Sequence, residues 1–196
     1  MIYVSQGNLR MDFPTFSLPS HITCPKSTPD CRKFCYAAKA ERMYANVRES
    51  RKNNLEETMK DTFEKDMIEL ILDSKAEFFR IHESGEFYNQ NYLDKWLRIC
   101  SFLEGTTFLV YTTRWDLDWS KRPDNLIVYW SVWGDSVDPP EYGLKAYVFD
   151  RKGRISVVLP PAGTHLCTKG HKDGVKKCND CMVCYVGSSS VVFELH

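Results

Sequence analysis

Seven of the eight cysteines fall into two groups whose spacing is typical of metal ligands. Clustered cysteines in a chain without a secretory signal more often bind metal or do chemistry than form disulfides, because a reducing compartment keeps thiols reduced. The N-terminal residues lack the basic and apolar regions of a signal peptide. The candidate metal ligands are Cys24, Cys31 and Cys35 in the first group, and Cys167, Cys178, Cys181 and Cys184 in the second.

The C-terminal group has the spacing of a ferredoxin-type loop. Two residues separate Cys178 from Cys181 and Cys181 from Cys184, so that one tight loop can supply three thiolates to a [4Fe–4S] cluster. Cys167 can supply the fourth thiolate. Structural Zn²⁺ is the alternative, because four cysteines also suit a tetrahedral ion, although zinc sites usually pair two separate C-x2-C steps. The spacing favours the cluster over zinc.

The N-terminal group supplies three thiolates, which leaves one iron of a [4Fe–4S] cluster without a cysteine. That iron either binds a substrate or cofactor, or takes a protein ligand such as a histidine or a carboxylate. In a third arrangement, cysteines from both ends of the chain share one cluster. Cys100 stands alone on the inward face of a predicted helix, and we interpret it as a core residue.

The segments between the two cysteine groups predict an α/β fold. Apolar runs typical of buried strands occupy residues 78–82, 107–112, 126–130, 145–149 and 155–159. Apolar residues at helical spacing predict a long amphipathic helix over residues 55–70 and another over 93–103. We therefore expect an open partial (β/α) barrel of about five or six mainly parallel strands within residues 1–162. Residues 163–196 would form a cysteine-rich, metal-binding appendage packed on it.

Polar and charged residues follow several of these apolar runs, at the edge where parallel α/β sheets bind ligands. His82 and Glu86 follow the first run, Arg114 the second and Asp135 the third. We interpret His82 as a hydrogen-bonded core residue rather than a catalyst. Glu86 is the acid of most interest, because Gly85 before it would let a ligand approach the backbone.

The charge balance and hydropathy exclude some classes of partner. The chain has 26 basic and 26 acidic side chains, so its formal net charge of zero gives no strong nucleic-acid signal. No apolar run approaches the roughly 18 residues that a membrane helix needs. We expect a cytoplasmic protein that does not interact with membranes.

Three segments resemble a group of phage-encoded proteins, the gene product 88 type. These segments are residues 24–37, 80–88 and 167–171, and the resemblance extends from about residue 17 to residue 185. It implies a phage origin and the host cytoplasm as the compartment. It implies little about activity, because little is known of what these proteins do.

The layout is also similar to a small radical SAM (S-adenosylmethionine) enzyme. That resemblance implies a [4Fe–4S] cluster on the three N-terminal cysteines, with SAM bound to its open iron. Phe34, just before the third cysteine, would lie near the adenine, and Ser84-Gly85-Glu86 resembles the Gly-Gly-Glu stretch that binds the SAM amino group. The spacing here is C-x6-C-x3-C, whereas the superfamily usually has C-x3-C-x2-C.

We therefore expect an iron–sulfur protein with one or two [4Fe–4S] clusters and redox or radical chemistry at the N-terminal one, supplied by an external electron donor. The alternative is a zinc-stabilised, non-catalytic module that binds a host protein or nucleic acid. The sequence leaves open whether the protein is an enzyme, what its substrate is and whether SAM binds.

Overall fold

The computed structural model describes residues 1–7, 11–168, 174 and 177–195. Within these residues, eight strands form one sheet in the order β1-β2-β3-β4-β5-β6-β8-β7. The strands are β1 (Val4–Ser5), β2 (Thr15–Phe16), β3 (Phe78–Ile81), β4 (Thr107–Thr112), β5 (Leu126–Val132), β6 (Leu144–Phe149), β7 (His165–Leu166) and β8 (Val191–Glu194). The helices are α1 (Pro29–Lys33), α2 (Tyr36–Met43), α3 (Ala45–Thr58), α4 (Phe63–Ser74), α5 (Gln90–Phe102), α6 (Cys178–Cys181) and α7 (Val183–Val186).

The sheet is open and mainly parallel, as the sequence predicts. Only β1 and β2 pair in the antiparallel direction, and every other neighbouring pair is parallel. Parallel strands end at the same edge of a sheet, so the segments that follow β2 to β6 all start from one edge. The N-terminal cysteine loop starts from this edge after β2, and the segment that begins at His82 starts from it after β3.

The two faces of the sheet pack against different parts of the chain, because side chains alternate along each strand. On one face, Phe79 and Phe108 belong to a core that includes Trp96 of α5, with the Phe79 and Trp96 ring centroids 6.0 Å apart. On the other face, Leu109 belongs to a second cluster with Tyr185 of α7. Helices α4 and α5 thus contribute to the first core, and the cysteine-rich C-terminal segment contributes to the second.

The predicted long helix over residues 55–70 is wrong, because the chain forms two helices, α3 and α4. Met59, which the helical spacing counts as apolar and inward, is 66% exposed at the break. Lys95 of α5 stabilises this break, since its Nζ donates to the carbonyls of Thr58 and Lys60 at 2.9 and 3.0 Å. A lysine at this position satisfies carbonyls that a helix end leaves unpaired. No helix among the described residues is long and apolar enough to cross a membrane.

The predicted strand count of five or six is also wrong. Residues 155–159 form no strand, and Val157 and Leu159 are 80% and 84% exposed. The place beside β6 is taken by β8, which pairs with it from Ala146–Val191 to Phe149–Glu194. Because β6 has β5 on its other side, both of its sides are occupied and the apolar run at 155–159 cannot pair with it.

The C-terminal residues are joined to the sheet rather than only packed on it. Strands β7 and β8 lie within residues 163–196 and complete the sheet beyond β6. Between these two strands, α6 and α7 carry Cys178, Cys181 and Cys184. The boundary at residue 162 stays a prediction, but the sheet is continuous across it.

Strand β8 offers a direct test of this architecture. Val191 is fully buried between β6 and β7, so V191D would place an uncompensated carboxylate in the core, at a cost of about 3–5 kcal/mol. V157D is the matched control, because the same replacement at an exposed valine should change the free energy of unfolding by less than about 0.5 kcal/mol. Urea unfolding of both variants measures the difference. Equal losses would contradict the placement of β8.

Candidate metal centre

All seven cysteines of the two groups line one cavity of about 730 Å³. Its floor is the sheet face that carries Leu109 and Tyr111 of β4 and Val148 of β6. The N-terminal cysteine loop contributes one part of the wall, and the segment from β7 to α7 contributes another. The sequence predicts the two groups separately, and the structure brings them together in one place.

Hydrogen bonds to the backbone fix the N-terminal cysteine loop. The carbonyl of Cys24 accepts from the Ser27 hydroxyl at 2.8 Å and from Nη2 of Arg32 at 3.1 Å. Thr28 caps α1, because its hydroxyl oxygen accepts from the backbone N–H of Cys31 at 3.1 Å. Cys35 caps α2 through its thiol, since Sγ accepts from a backbone N–H of the first turn at 3.4 Å. The loop thus holds Cys31 in the first turn of α1 and Cys35 at the start of α2, and it joins Cys24 to α1 through Arg32.

Two other loops clamp helix α1 to the sheet edge. The backbone N–H of Asp30 donates to Oδ2 of Asp135 at 2.9 Å, and the Asp30 carboxylate accepts from the backbone N–H of Ser156 at 2.7 Å. Gly134 is needed here, because a Cβ at this position would lie 2.0 Å from the Ser156 carbonyl oxygen. The apolar run at 155–159 therefore supports the cysteine loop instead of forming a strand.

The N-terminal thiols are close enough to interact electrostatically. Burial, and after it the neighbouring Cys35, Cys24 and Glu86, raise the pKa of Cys31 to about 12. Burial also raises the pKa of Cys24 to about 11, with Glu86 as the next cause. Metal coordination requires thiolates, so a bound metal would have to compensate for this unfavourable ionisation.

The C-terminal thiols form a second electrostatic group. Burial raises the pKa of Cys184 to about 11; the Cys167, Cys178 and Cys181 thiols also raise it, and a hydrogen bond from Tyr111 opposes them. Cys167 follows β7, and its backbone N–H donates to the Val192 carbonyl at 2.9 Å. The β7–β8 pairing thus sets the position of Cys167 relative to the other three cysteines.

His165 lies beside Cys181. Its Nε2 is 3.8 Å from the Cys181 Sγ. Lys177, next to Cys178 in the chain, forms an ion pair with Asp12 at 2.6 Å. The other residues that the sequence places around this group lie outside the described residues; they are Lys169, Gly170, His171, Lys172 and Lys176.

A single-ion site is not formed by the residues that the structure describes. Among them, no group of three or more histidine, cysteine, aspartate or glutamate side chains could hold a metal ion. A tetrahedral Zn²⁺ needs all its thiolates about 2.3 Å from one point. A [4Fe–4S] cluster instead binds each thiolate to a different iron, which spreads the four sulfurs apart.

Glu86 has no acceptor position left for a ligand. Its Oε1 accepts from the Thr112 hydroxyl at 2.8 Å and from the backbone N–H of Phe87 at 3.0 Å. Its Oε2 accepts from the backbone N–H and the hydroxyl of Thr113 at 2.7 and 3.3 Å. Burial raises the pKa of this carboxyl to about 7, although these hydrogen bonds lower it. A carboxylate has about four acceptor positions, and these four hydrogen bonds use them. Through them, Glu86 connects the segment after β3 to the end of β4.

The other residues implied by the SAM resemblance lie at the cavity. Phe34, Ser84 and Gly85 all contribute to its lining. The backbone of Gly85, with φ of +84°, is approached by the chain itself, because a Cβ there would lie 2.5 Å from the Leu18 Cβ. We expected a ligand to approach this glycine, but Leu18 occupies that space.

His82 is a buried core residue, as the sequence predicts. Its Nε2 is 2.8 Å from the hydroxyl of Tyr92, and its ring packs on Phe87 with centroids 4.7 Å apart. It adopts a left-handed backbone with φ of +65°, which is uncommon outside glycine and asparagine. This conformation turns the chain from the end of β3 into the segment that carries Glu86.

Sequence reasoning missed Arg80 and Tyr111, which lie on the cavity floor between the two cysteine groups. The Arg80 guanidinium carbon is 5.2 Å from the Tyr111 ring centroid. A signal was present, because Arg80 is the only charged residue in the apolar run at 78–81. Its burial beside tyrosines on other elements could not be foreseen.

The position of His82 predicts a pH dependence of stability. Burial, and then the charge of Arg80, lowers its pKa to about 3 from the usual 6.5. Below pH 6.5 the unfolded chain therefore binds a proton that the folded protein does not. This contribution to stability is complete above pH 6.5 and is lost as the pH falls toward 3, at up to about 1.4 kcal/mol per pH unit.

H82N should reduce this slope, because asparagine also tolerates a left-handed backbone but does not titrate. The measurement is the free energy of unfolding between pH 4 and 7. H21N controls for the backbone, since His21 has a similar φ of +62°. An unchanged slope in H82N would mean that His82 does not stay neutral in the folded protein.

Comparison with known proteins identifies relatives among phage proteins. The family described as Gene product 88 matches residues 4–189. The Gene 88 protein of Mycobacterium phage L5 is 28% identical over 208 residues, which cover 92% of this chain and 86% of the relative. The Gene 88 protein of Mycobacterium phage D29 is 29% identical over 141 residues, covering 63% of this chain and 58% of the relative. No solved structure matches the chain. The chain belongs to the Gene product 88 family.

Proposed function

We propose that this member of the Gene product 88 family is an iron–sulfur protein that holds two [4Fe–4S] clusters in one chamber. The observation that carries the proposal is the convergence of both cysteine groups on the same cavity, although more than 130 residues separate them in the chain. Each group also interacts electrostatically within itself. We call this cavity the cysteine chamber.

The two groups would hold their clusters differently. Cys167, Cys178, Cys181 and Cys184 supply the four thiolates that a ferredoxin-type cluster requires. The three N-terminal cysteines leave a cluster one thiolate short, so its fourth iron takes a ligand from elsewhere. Clusters at these positions would exchange electrons with an external donor, which makes a redox role the function that this site supports best.

SAM is left out of the proposal. The resemblance assigns Glu86 to the amino group of SAM, but four hydrogen bonds within the protein already occupy that carboxylate. The N-terminal spacing also differs from the usual one of that superfamily. A redox role needs only the cysteines and a reductant. The cytoplasm of the phage host is a reducing compartment and would keep all eight cysteines as the free thiols found here.

The proposal predicts a defined metal and sulfide content. Protein purified without oxygen should contain about eight irons and eight acid-labile sulfides per chain. C31S should lose about half of both, because it removes one thiolate of the N-terminal group. C181S should lose about half from the other group. C100S is the control and should keep the full content, since Cys100 is buried in the helix-side core.

Other results would contradict the proposal in different ways. Zinc without sulfide would favour the zinc-stabilised, non-catalytic module that binds a host protein or nucleic acid. About four irons in the wild type, lost entirely in both C31S and C181S, would mean that the two groups share one cluster. Neither iron nor zinc would mean that the thiols do not bind these metals.

A further inference from the structure

Arg80 places a positive charge on the floor of the cysteine chamber. It lies on β3, opposite Leu109 of β4, on the face that carries the cavity. The only hydrogen bond of its side chain to the rest of the described chain goes to the Met11 sulfur at 3.9 Å. Its Nε is closed off from solvent and has no hydrogen-bond partner in that part of the chain.

Within the described residues no carboxylate lies at ion-pair distance from Arg80, although the charge of Glu83, which lines the same cavity, helps to raise the pKa of Arg80. The ion pairs between described residues include other arginines, such as Arg51 with Glu41 at 2.9 Å, but none at Arg80. The guanidinium also lies over an aromatic ring, with its carbon 5.2 Å from the ring centroid of Tyr111. An aromatic face attracts a cation, but it does not neutralise it.

An arginine in this setting calls for an anion. A guanidinium cannot lose its proton in a protein, so it cannot escape the cost of burial by becoming neutral. Arg80 is half-buried with its Nε closed off from solvent, and native proteins usually pair a charge in such a position with an anion. The planar fork of the side chain matches two oxygens of a carboxylate, sulfate or phosphate.

The rest of the cavity lining indicates what kind of molecule could carry this anionic group. Leu109, Val148 and Phe193 line the same cavity as Arg80 and are apolar. The volume of about 730 Å³ lies within the range of small-molecule pockets, which is about 300–1,000 Å³. An apolar body with one oxyanion group fits both the floor and the charge.

We propose that the cysteine chamber binds a small amphipathic molecule whose oxyanion docks on Arg80 and whose apolar body lies on the sheet face. This inference goes beyond the metal proposal and does not depend on it, because it rests on Arg80 and the cavity floor; bound clusters would take up the part of the chamber next to the cysteines and leave the ligand the part over the floor. A protein without clusters would still carry the site.

The probe is 4-phenylbutyrate, with 4-phenylbutanol as its uncharged match and inorganic phosphate as an oxyanion without an apolar body. Isothermal titration calorimetry of the purified protein should give the tightest binding for 4-phenylbutyrate. R80Q should weaken that binding at least tenfold. R80K keeps the charge but loses the fork, so it should weaken binding by a smaller factor. R98Q removes an exposed arginine paired with Glu64 and should bind like the wild type.

Several outcomes would overturn the inference. Wild-type protein that binds none of the probes, or binds the alcohol as tightly as the carboxylate, would exclude an oxyanion site at Arg80. Equal affinities of wild type and R80Q would do the same. Thermal unfolding checks that R80Q is folded. If R80Q is not folded, the affinity of R80K for 4-phenylbutyrate tests the inference instead. An R80K affinity equal to that of the wild type would then contradict it. Iron content measured on the same samples keeps this result separate from the metal proposal.

Discussion

The parallel pairing of β8 with β6 is the contact on which the cysteine chamber depends. Strand β8 lies between β6 and β7, so the last described residues of the chain are held inside the sheet. This pairing folds α6 and α7 onto the face opposite α4 and α5, and it fixes Cys167 through β7. The N-terminal cysteine loop reaches the same chamber because it follows β2, whose end shares the edge of the other parallel strands.

The carboxylates near this edge make hydrogen bonds that hold the loops in place. Glu86 bridges the segment after β3 to the end of β4, and Asp30 and Asp135 hold helix α1. Glu86 is the acid that the sequence singles out, and four hydrogen bonds within the protein use its acceptor positions. The thiols and the Arg80 guanidinium line the chamber, together with Glu83, Lys177 and Glu194. The chemistry that we propose for the site is that of soft ligands beside the cation of Arg80.

The parts of the fold that sequence reasoning found are those with long, regular patterns. Strands β4, β5 and β6 have six or seven residues each, and α5 has clear helical spacing. Strands of two residues, such as β1 and β7, carry no periodicity to detect. The run at 155–159 has the composition of a strand but no partner, since β8 occupies the edge of β6. The break between α3 and α4 depends on Lys95, more than 30 residues away. For the site, spacing identified the cysteines, but only the fold joins the two groups and adds Arg80.

The claim that two clusters occupy one chamber is tested most directly by electron paramagnetic resonance of the reduced protein. Two paramagnetic clusters that share a cavity interact magnetically, so the wild-type spectrum should be broadened relative to the sum of the C31S and C181S spectra. A wild-type spectrum equal to that sum would contradict a shared chamber, and the absence of any cluster signal would contradict the iron–sulfur account as a whole.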